Sequence, residues 1–374
     1  MTETSPWWQG KAVAPKLRRD LSALPPYRAG ARPTAAPGID RVYSLASNES
    51  PVPPLPAARR AFADAVETAN RYPDPASRKL ITALAKHLAV PEQGITVGTG
   101  SVALCQQAVA AAAGPGDEVV FAWRSFEAYP IITGVAGARS VPVPLTAQAR
   151  HDLPAMATAV GERTRVVFLC SPNNPTGPLL RQAEVDTFLD SIRDDVLVVI
   201  DEAYFEYVTD PTAVNGVATA QQRGNVIALR TFSKAYGLAG LRVGYAVGPP
   251  ALLDCMRQVA LPFGVSSPAQ AAAAASLGSA RDLAERVDAT IAERVRVATR
   301  LRDLGYDVPD TSGNFVWLPL GERAQAFAQA CQAVGVTVRA FGGEGVRVSV
   351  AEPEANDRVL GVASQMAGTF GAGA

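Results

Sequence analysis

Short runs of β-branched and other apolar residues recur along the middle of the chain, at residues 95–97, 118–122, 165–170, 196–200, 226–229 and 243–247. Helix-like segments separate most of them, and only the last two runs follow each other closely. Strands this short and this continuously apolar suit burial on both faces. Their alternation with helices predicts an α/β fold built on a mainly parallel sheet covered on both sides. After Pro250 the pattern changes. Residues 281–304 combine many charges with apolar positions at helical spacing. A strand-like run at 315–318, a helix-like stretch at 323–334 and strand-like runs at 336–340 and 346–350 follow. This second pattern predicts a smaller α+β domain. The chain up to about residue 56 is rich in Pro, Ala and Gly and keeps no period, which reads as an arm wrapped on a surface. The expected division is an arm over 1–50 that joins the small domain, a large domain over 51–255 and a small C-terminal domain over 256–374.

Composition narrows the function classes. The chain has 374 residues, 48% of them hydrophobic and 19% charged, which allows a large core and is too apolar for disorder. Its 35 basic and 35 acidic residues balance, so no basic surplus points to nucleic acid or an anionic membrane. The first ten residues lack the apolar centre of a secretory signal. The longest apolar stretch, 102–113, is interrupted by Gln106 and Gln107 and is too short to span a bilayer. Cys105, Cys170, Cys255 and Cys331 are widely separated, with no metal-ligand spacing, and fit a reducing cytoplasm. His87 and His151 are the two histidines of the sequence, so chemistry centred on a histidine base or a histidine-bound metal is disfavoured, and no metal is expected.

Four signals fall at predicted strand ends, where open α/β sheets bind ligands. Gly98-Thr99-Gly100-Ser101 leaves a strand and opens a helix. Free backbone N–H groups and the helix dipole make such a junction a phosphate site, although a glycine-rich turn alone is usually only a tight turn. Ser171 to Gly177, reading SPNNPTG, sets two adjacent asparagines at a strand's carboxyl end, which a proline-rich turn does not require. Asp201-Glu202-Ala203-Tyr204 follows the apolar run 196–200. A carboxylate immediately past a buried strand loses hydration unless a cation or donor meets it, and a pyridinium N–H is such a partner; the ordinary alternative is an Asp capping the next turn. Finally, Lys234 stands among small residues, with Ser233 before it and Arg242 eight positions later. An enclosed amine near a cation has a lowered pKa, as Schiff-base chemistry needs. Ser233 and Arg242 could complete the phosphate cup. Together the four supply what pyridoxal phosphate demands: an anion cup, an acid for the ring nitrogen, donors for the phenolic oxygen and an amine for the aldehyde.

Ser171–Gly177, Asp201–Tyr204 and Ser233–Arg242 resemble the fold-type I aminotransferases of the histidinol-phosphate aminotransferase group. The likeness runs from Pro26-Tyr27 and Asn48-Glu49-Ser50-Pro51 through Arg71-Tyr72-Pro73 to Arg347-Val348-Ser349-Val350. Residues 100–107, 123–127, 262–267 and 314–319 are similar to the actinobacterial aromatic amino acid aminotransferases of that group. The resemblance implies a homodimer acting on amino acids and 2-oxo acids. It implies that Lys234 carries the cofactor and shuttles a proton, that Asp201 pairs with the ring nitrogen, and that Asn174 and Tyr204 contact the phenolic oxygen. Gly100, Ser101, Val102, Ser233 and Arg242 would hold the phosphate, helped by Tyr72 from the other subunit, and Phe126 would stack on the ring. Arg347 would bind the substrate carboxylate, with Tyr27, Asn48 and Arg339 near the substrate. The sequence departs from the group's commonest pattern at Val102, where an acidic residue is usual, and at Phe126, where Tyr is frequent. With the apolar surface that Phe126 and Phe263 could offer, these departures favour aromatic substrates over histidinol phosphate. A histidinol-phosphate aminotransferase and a decarboxylase using the same cofactor are the alternatives.

Overall fold

The computed structural model describes residues 39–370, the last three by their backbone, together with 18, 21, 24, 26, 27 and 30. Most of the expected N-terminal arm therefore lies outside the described residues.

Eleven strands form two sheets among the described residues. They are β1 (Tyr43–Leu45), β2 (Ile95–Gly98), β3 (Glu118–Trp123), β4 (Arg139–Pro144), β5 (Thr164–Cys170), β6 (Leu197–Asp201), β7 (Val226–Thr231), β8 (Gly244–Val247), β9 (Phe315–Leu318), β10 (Val336–Phe341) and β11 (Gly345–Ser349). The larger sheet has the order β2-β8-β7-β6-β5-β3-β4. Within it β8 runs antiparallel to both of its neighbours, and every other pairing is parallel. Since β8 reverses twice, β2 points the same way as β7. The carboxyl ends of β2, β3, β5, β6 and β7 consequently share one edge of the sheet.

Burial explains which strands the pattern revealed. All five residues of β6 are buried, as are all six of β7. Each Val or Ile buried there contributes roughly 1.5–3 kcal/mol. Helices Ser101–Ala112, Ala128–Ala136 and Pro250–Gln258 cover one face, through Leu104, Val109, Tyr129, Ile132 and Met256. Helices Leu153–Ala159 and Gln182–Ser191 cover the other, through Met156, Val185 and Phe188. Strand β4 escaped the sequence reading because it is the sheet's edge. Val143 is its one buried residue, and Pro142 and Pro144, which donate no ladder hydrogen bond, are tolerated at an edge.

The smaller sheet has the order β1-β10-β11-β9, with β1 parallel to β10 and the other pairs antiparallel. Strand β1 spans three residues, too few to show a period in sequence. Helices Ala280–Asp303, Ala324–Ala333 and Pro353–Phe370 pack on this sheet, and Val297, Leu301, Phe327 and Val359 lie in its core. Helix Ser267–Leu277 instead packs with Pro56–Val66 and Arg78–Leu88 against the larger sheet. Arg294, buried on the long helix, donates to the Tyr207 and Gly313 carbonyls at 3.2 and 2.9 Å and so ties the loop after β6 to the approach to β9. Among the described residues no helix is long and apolar enough to cross a membrane.

Candidate active site

A cavity of about 360 Å³ opens at the shared carboxyl edge, walled on its far side by β10 and β11 of the smaller sheet. At its floor Asp201 closes β6. Its Oδ2 accepts from the Tyr129 hydroxyl at 2.8 Å, with Cys105 Sγ at 3.9 Å, while its buried Oδ1 has no partner. Burial pushes this carboxyl up to about 6, offset in part by Tyr129. Such an oxygen is a ready acceptor for a charged N–H donor.

Lys234 lies on the loop after β7. Its Nζ donates to the Ser47 carbonyl at 3.1 Å and sits 5.8 Å from the centre of the Tyr204 ring. Burial, and after it the neighbouring Arg347 guanidinium, push the amine down to about 7. A neutral, nucleophilic amine is thereby available near physiological pH. The Tyr204 hydroxyl accepts from Asn48 Nδ2 at 2.8 Å, and burial raises its pKa. Asn48 is fully buried behind Tyr204 and is tied to Ser349 through its own backbone and side chain.

An anion cup stands at one end. Ser101 is the first residue of helix Ser101–Ala112, whose unpaired N–H groups and dipole attract negative charge. Arg242 reaches the same place with Nη1 3.3 Å from Ser233 Oγ. Gly100 has φ of +84°, and a Cβ there would lie 2.5 Å from Arg242 Nη2. Gly244 is equally constrained, because a Cβ would meet the Ser101 nitrogen at 2.8 Å. These two glycines let loop, strand and guanidinium approach one another closely at this end of the cavity.

At the other end Arg347 is buried and donates to Asn174 Oδ1 and the Ala46 carbonyl, both at 2.5 Å. Its Nε has no hydrogen-bond partner. Arg339 Nη2 lies 2.8 Å from Glu127 Oε2. Tyr27, Phe126 and Phe341 supply the apolar wall.

Of the residues singled out in the sequence, Tyr27, Ser101, Val102, Phe126, Asn174, Asp201, Tyr204, Ser233, Lys234, Arg242, Arg339 and Arg347 line this one cavity. Gly100 and Asn48 stand just behind the lining. Tyr72 is elsewhere on this chain: it is 83% exposed and stacks on Phe263 at 4.8 Å. Phe263, expected to add surface for a substrate ring, likewise does not line the cavity. Phe341 takes that place. Sequence reasoning missed Tyr129, Ser47 and Glu127. Tyr129 is fully buried among core rings, and its spacing does not set its hydroxyl apart from them; the Ser47 contact is through backbone and left no signal either.

Taken together, the cavity gathers an amine, a carboxylate with a free buried oxygen, an anion cup and a buried guanidinium. That set fits pyridoxal phosphate in each of the groups such a cofactor presents. A family model described as aminotransferase class I and II matches residues 40–362. The aromatic amino acid aminotransferase of Streptomyces avermitilis is 54% identical over 350 residues, covering 94% of this chain and 97% of its own length. That of Thermobifida fusca is 53% identical over 349 residues, covering 93% of this chain and 96% of its own. Among solved structures, the histidinol-phosphate aminotransferase of Sinorhizobium meliloti in complex with pyridoxal-5'-phosphate superposes with a TM-score of 0.84 at 27% identity, over 96% of this chain and 99% of its own. The chain belongs to the class I and II aminotransferases and has the fold-type I architecture that its sequence led us to expect.

Proposed function

We propose that this aminotransferase uses pyridoxal phosphate to move the amino group between aromatic amino acids and 2-oxo acids, with glutamate and 2-oxoglutarate as the partner pair. The observation that carries the reading is the convergence of Lys234, the unpartnered Asp201 oxygen and Arg347 on one cavity with an aromatic wall. The names of relatives that are more than half identical over nearly the whole chain support the aromatic preference.

Bound pyridoxal phosphate would supply an electron sink that acidifies the substrate Cα–H. Lys234 would hold the cofactor through its amine and would move the proton at the substrate Cα. Asp201 would keep the ring nitrogen protonated, and Asn174 and Tyr204 would meet the phenolic oxygen. The backbone at Gly100, Ser101 and Val102, with Ser233 and Arg242, would hold the phosphate, and Phe126 would cover the ring. Arg347 takes the substrate α-carboxylate in the bidentate geometry that suits a guanidinium. Tyr27, Asn48 and Arg339 stand around the substrate. Tyr72 completes the cup of the other subunit in a homodimer, and the four scattered cysteines support a cytoplasmic setting.

Steady-state kinetics test the substrate. With 2-oxoglutarate as acceptor, phenylalanine and tyrosine are expected to show a higher kcat/KM than histidinol phosphate. The reverse order would replace this reading with histidinol-phosphate amino transfer.

A further inference from the structure

Arg339 and Arg347 stand directly opposite each other in the antiparallel pair of β10 and β11. Directly opposed residues share a face of the sheet, with Cβ atoms about 5 Å apart. Both line the cavity, yet they are held differently. Arg347 is bonded to neutral acceptors, Asn174 and the Ala46 carbonyl. Arg339 is matched by a full negative charge, Glu127, at 2.8 Å. Glu127 occupies the N-cap position of helix Ala128–Ala136, but its side chain makes no capping bond. Its carboxylate therefore serves Arg339 and not the local fold. The two side chains are 13% and 29% exposed, so solvent screens the pair incompletely, and the Phe341 ring lies 5.3 Å from the Arg339 guanidinium.

We propose that Glu127 is a specificity-determining residue, which competes with an anionic substrate side chain for Arg339 and so ranks aromatic side chains above carboxylate- or phosphate-bearing ones. The proposal rests on the amino-transfer reading above, with Arg347 as the receptor for the α-carboxylate. A neutral aromatic side chain leaves the Arg339–Glu127 pair closed and packs against Phe126 and Phe341. An anionic side chain has to draw Arg339 away from Glu127 and leave that carboxylate without its counter-charge in a sheltered site. Glutamate and 2-oxoglutarate bind against this opposition. Glu127, the more exposed partner, turns to solvent when they do.

The test is equilibrium binding of two unreactive acids, glutarate and 3-phenylpropionate, to the cofactor-loaded protein by calorimetry. Each offers one carboxylate to Arg347, and they differ at the far end. Glu127→Gln keeps the side-chain shape and removes the charge. The general gain for anions at the shared carboxylate cancels in the ratio of the two Kd values, and the part that falls on the far carboxylate of glutarate without Arg339 is measured in an Arg339→Gln background. That ratio is expected to move toward glutarate by about tenfold or more, a size typical of coupling between close charges. In an Arg339→Gln background the same Glu127→Gln change is expected to move the ratio several-fold less, because only the direct repulsion of the far carboxylate remains to be relieved. An unchanged ratio in the single variant, or an equal shift without Arg339, overturns the role of Glu127 and leaves the amino-transfer reading standing. Failure of 3-phenylpropionate to bind the unmodified protein overturns the aromatic reading and this proposal with it.

Discussion

Lys234 and Asp201 are displaced in opposite directions by the same cause. Burial lowers the amine to about 7 and raises the carboxyl to about 6. For a lysine with a lowered folded-state pKa, the folded chain binds fewer protons than the unfolded chain between about 7 and the ordinary lysine range. This group's contribution to the stability of the cofactor-free protein therefore rises with pH across that window. The same displacement governs cofactor capture. The rate at which the cofactor-free protein takes up pyridoxal phosphate should increase up to about pH 7 and level off above it. Stopped-flow absorbance follows the uptake, and a rate that keeps climbing toward pH 10 would mean an ordinary lysine. For Asp201, the Asn variant should keep the fold and slow Cα–H cleavage by about 100-fold or more, because an amide does not hold the ring nitrogen protonated. Single-turnover kinetics with deuterated phenylalanine would reveal it, and an unaltered rate would remove Asp201 from that role. Both residues were legible in the sequence, since each follows a buried apolar strand where a charge is otherwise costly. Tyr129, the donor to Asp201, was not, because nothing in the spacing distinguishes its hydroxyl from a core ring.

At the scale of elements, the site depends on five strands ending on one edge and on one reversed strand, β8, that brings Arg242 and Gly244 back toward the helix starting at Ser101. The close runs 226–229 and 243–247 hinted at this reversal, and burial on both faces made β5, β6 and β7 visible as uninterrupted apolar segments. The strands hidden from the sequence were the exposed edge β4, with two prolines, and the three-residue β1. Neither had enough buried positions to impose a period. The turn before helix Ser101–Ala112 carries a sharper consequence. A methyl group at Gly100 would collide with the Arg242 guanidinium in a left-handed backbone region. Gly100→Ala should weaken cofactor affinity by about tenfold or more, the loss of roughly one hydrogen bond to a charged group. Equilibrium titration with pyridoxal phosphate measures this, and affinity equal to that of the unmodified protein would show that the cup does not need the glycine.

For the whole molecule, the cavity exists because two sheets meet: the larger supplies Asp201, Lys234 and the anion cup, the smaller supplies Arg339, Arg347 and Phe341. The change of pattern after residue 250 announced the second sheet, but the closing of one against the other is long-range packing that no local period encodes. Tyr72 at 83% exposure, stacked on the half-exposed Phe263, and Leu261 at 79% leave aromatic and aliphatic surface on the outside of a single chain. A twofold dimer would cover it, and sedimentation should find a dimer at assay concentration; a fully active monomer would dissociate Tyr72 from the cup. Attachment of the cofactor at Lys234 is the proposed feature on which the other roles in the cavity depend. The sequence contains five lysines, Lys11, Lys16, Lys79, Lys86 and Lys234, so the attachment can be read without ambiguity. Borohydride reduction of the cofactor-loaded protein, followed by peptide mass mapping, should place a single pyridoxyl label on Lys234. A label on any of the other four lysines with Lys234 unmodified, or no label at all, would contradict it.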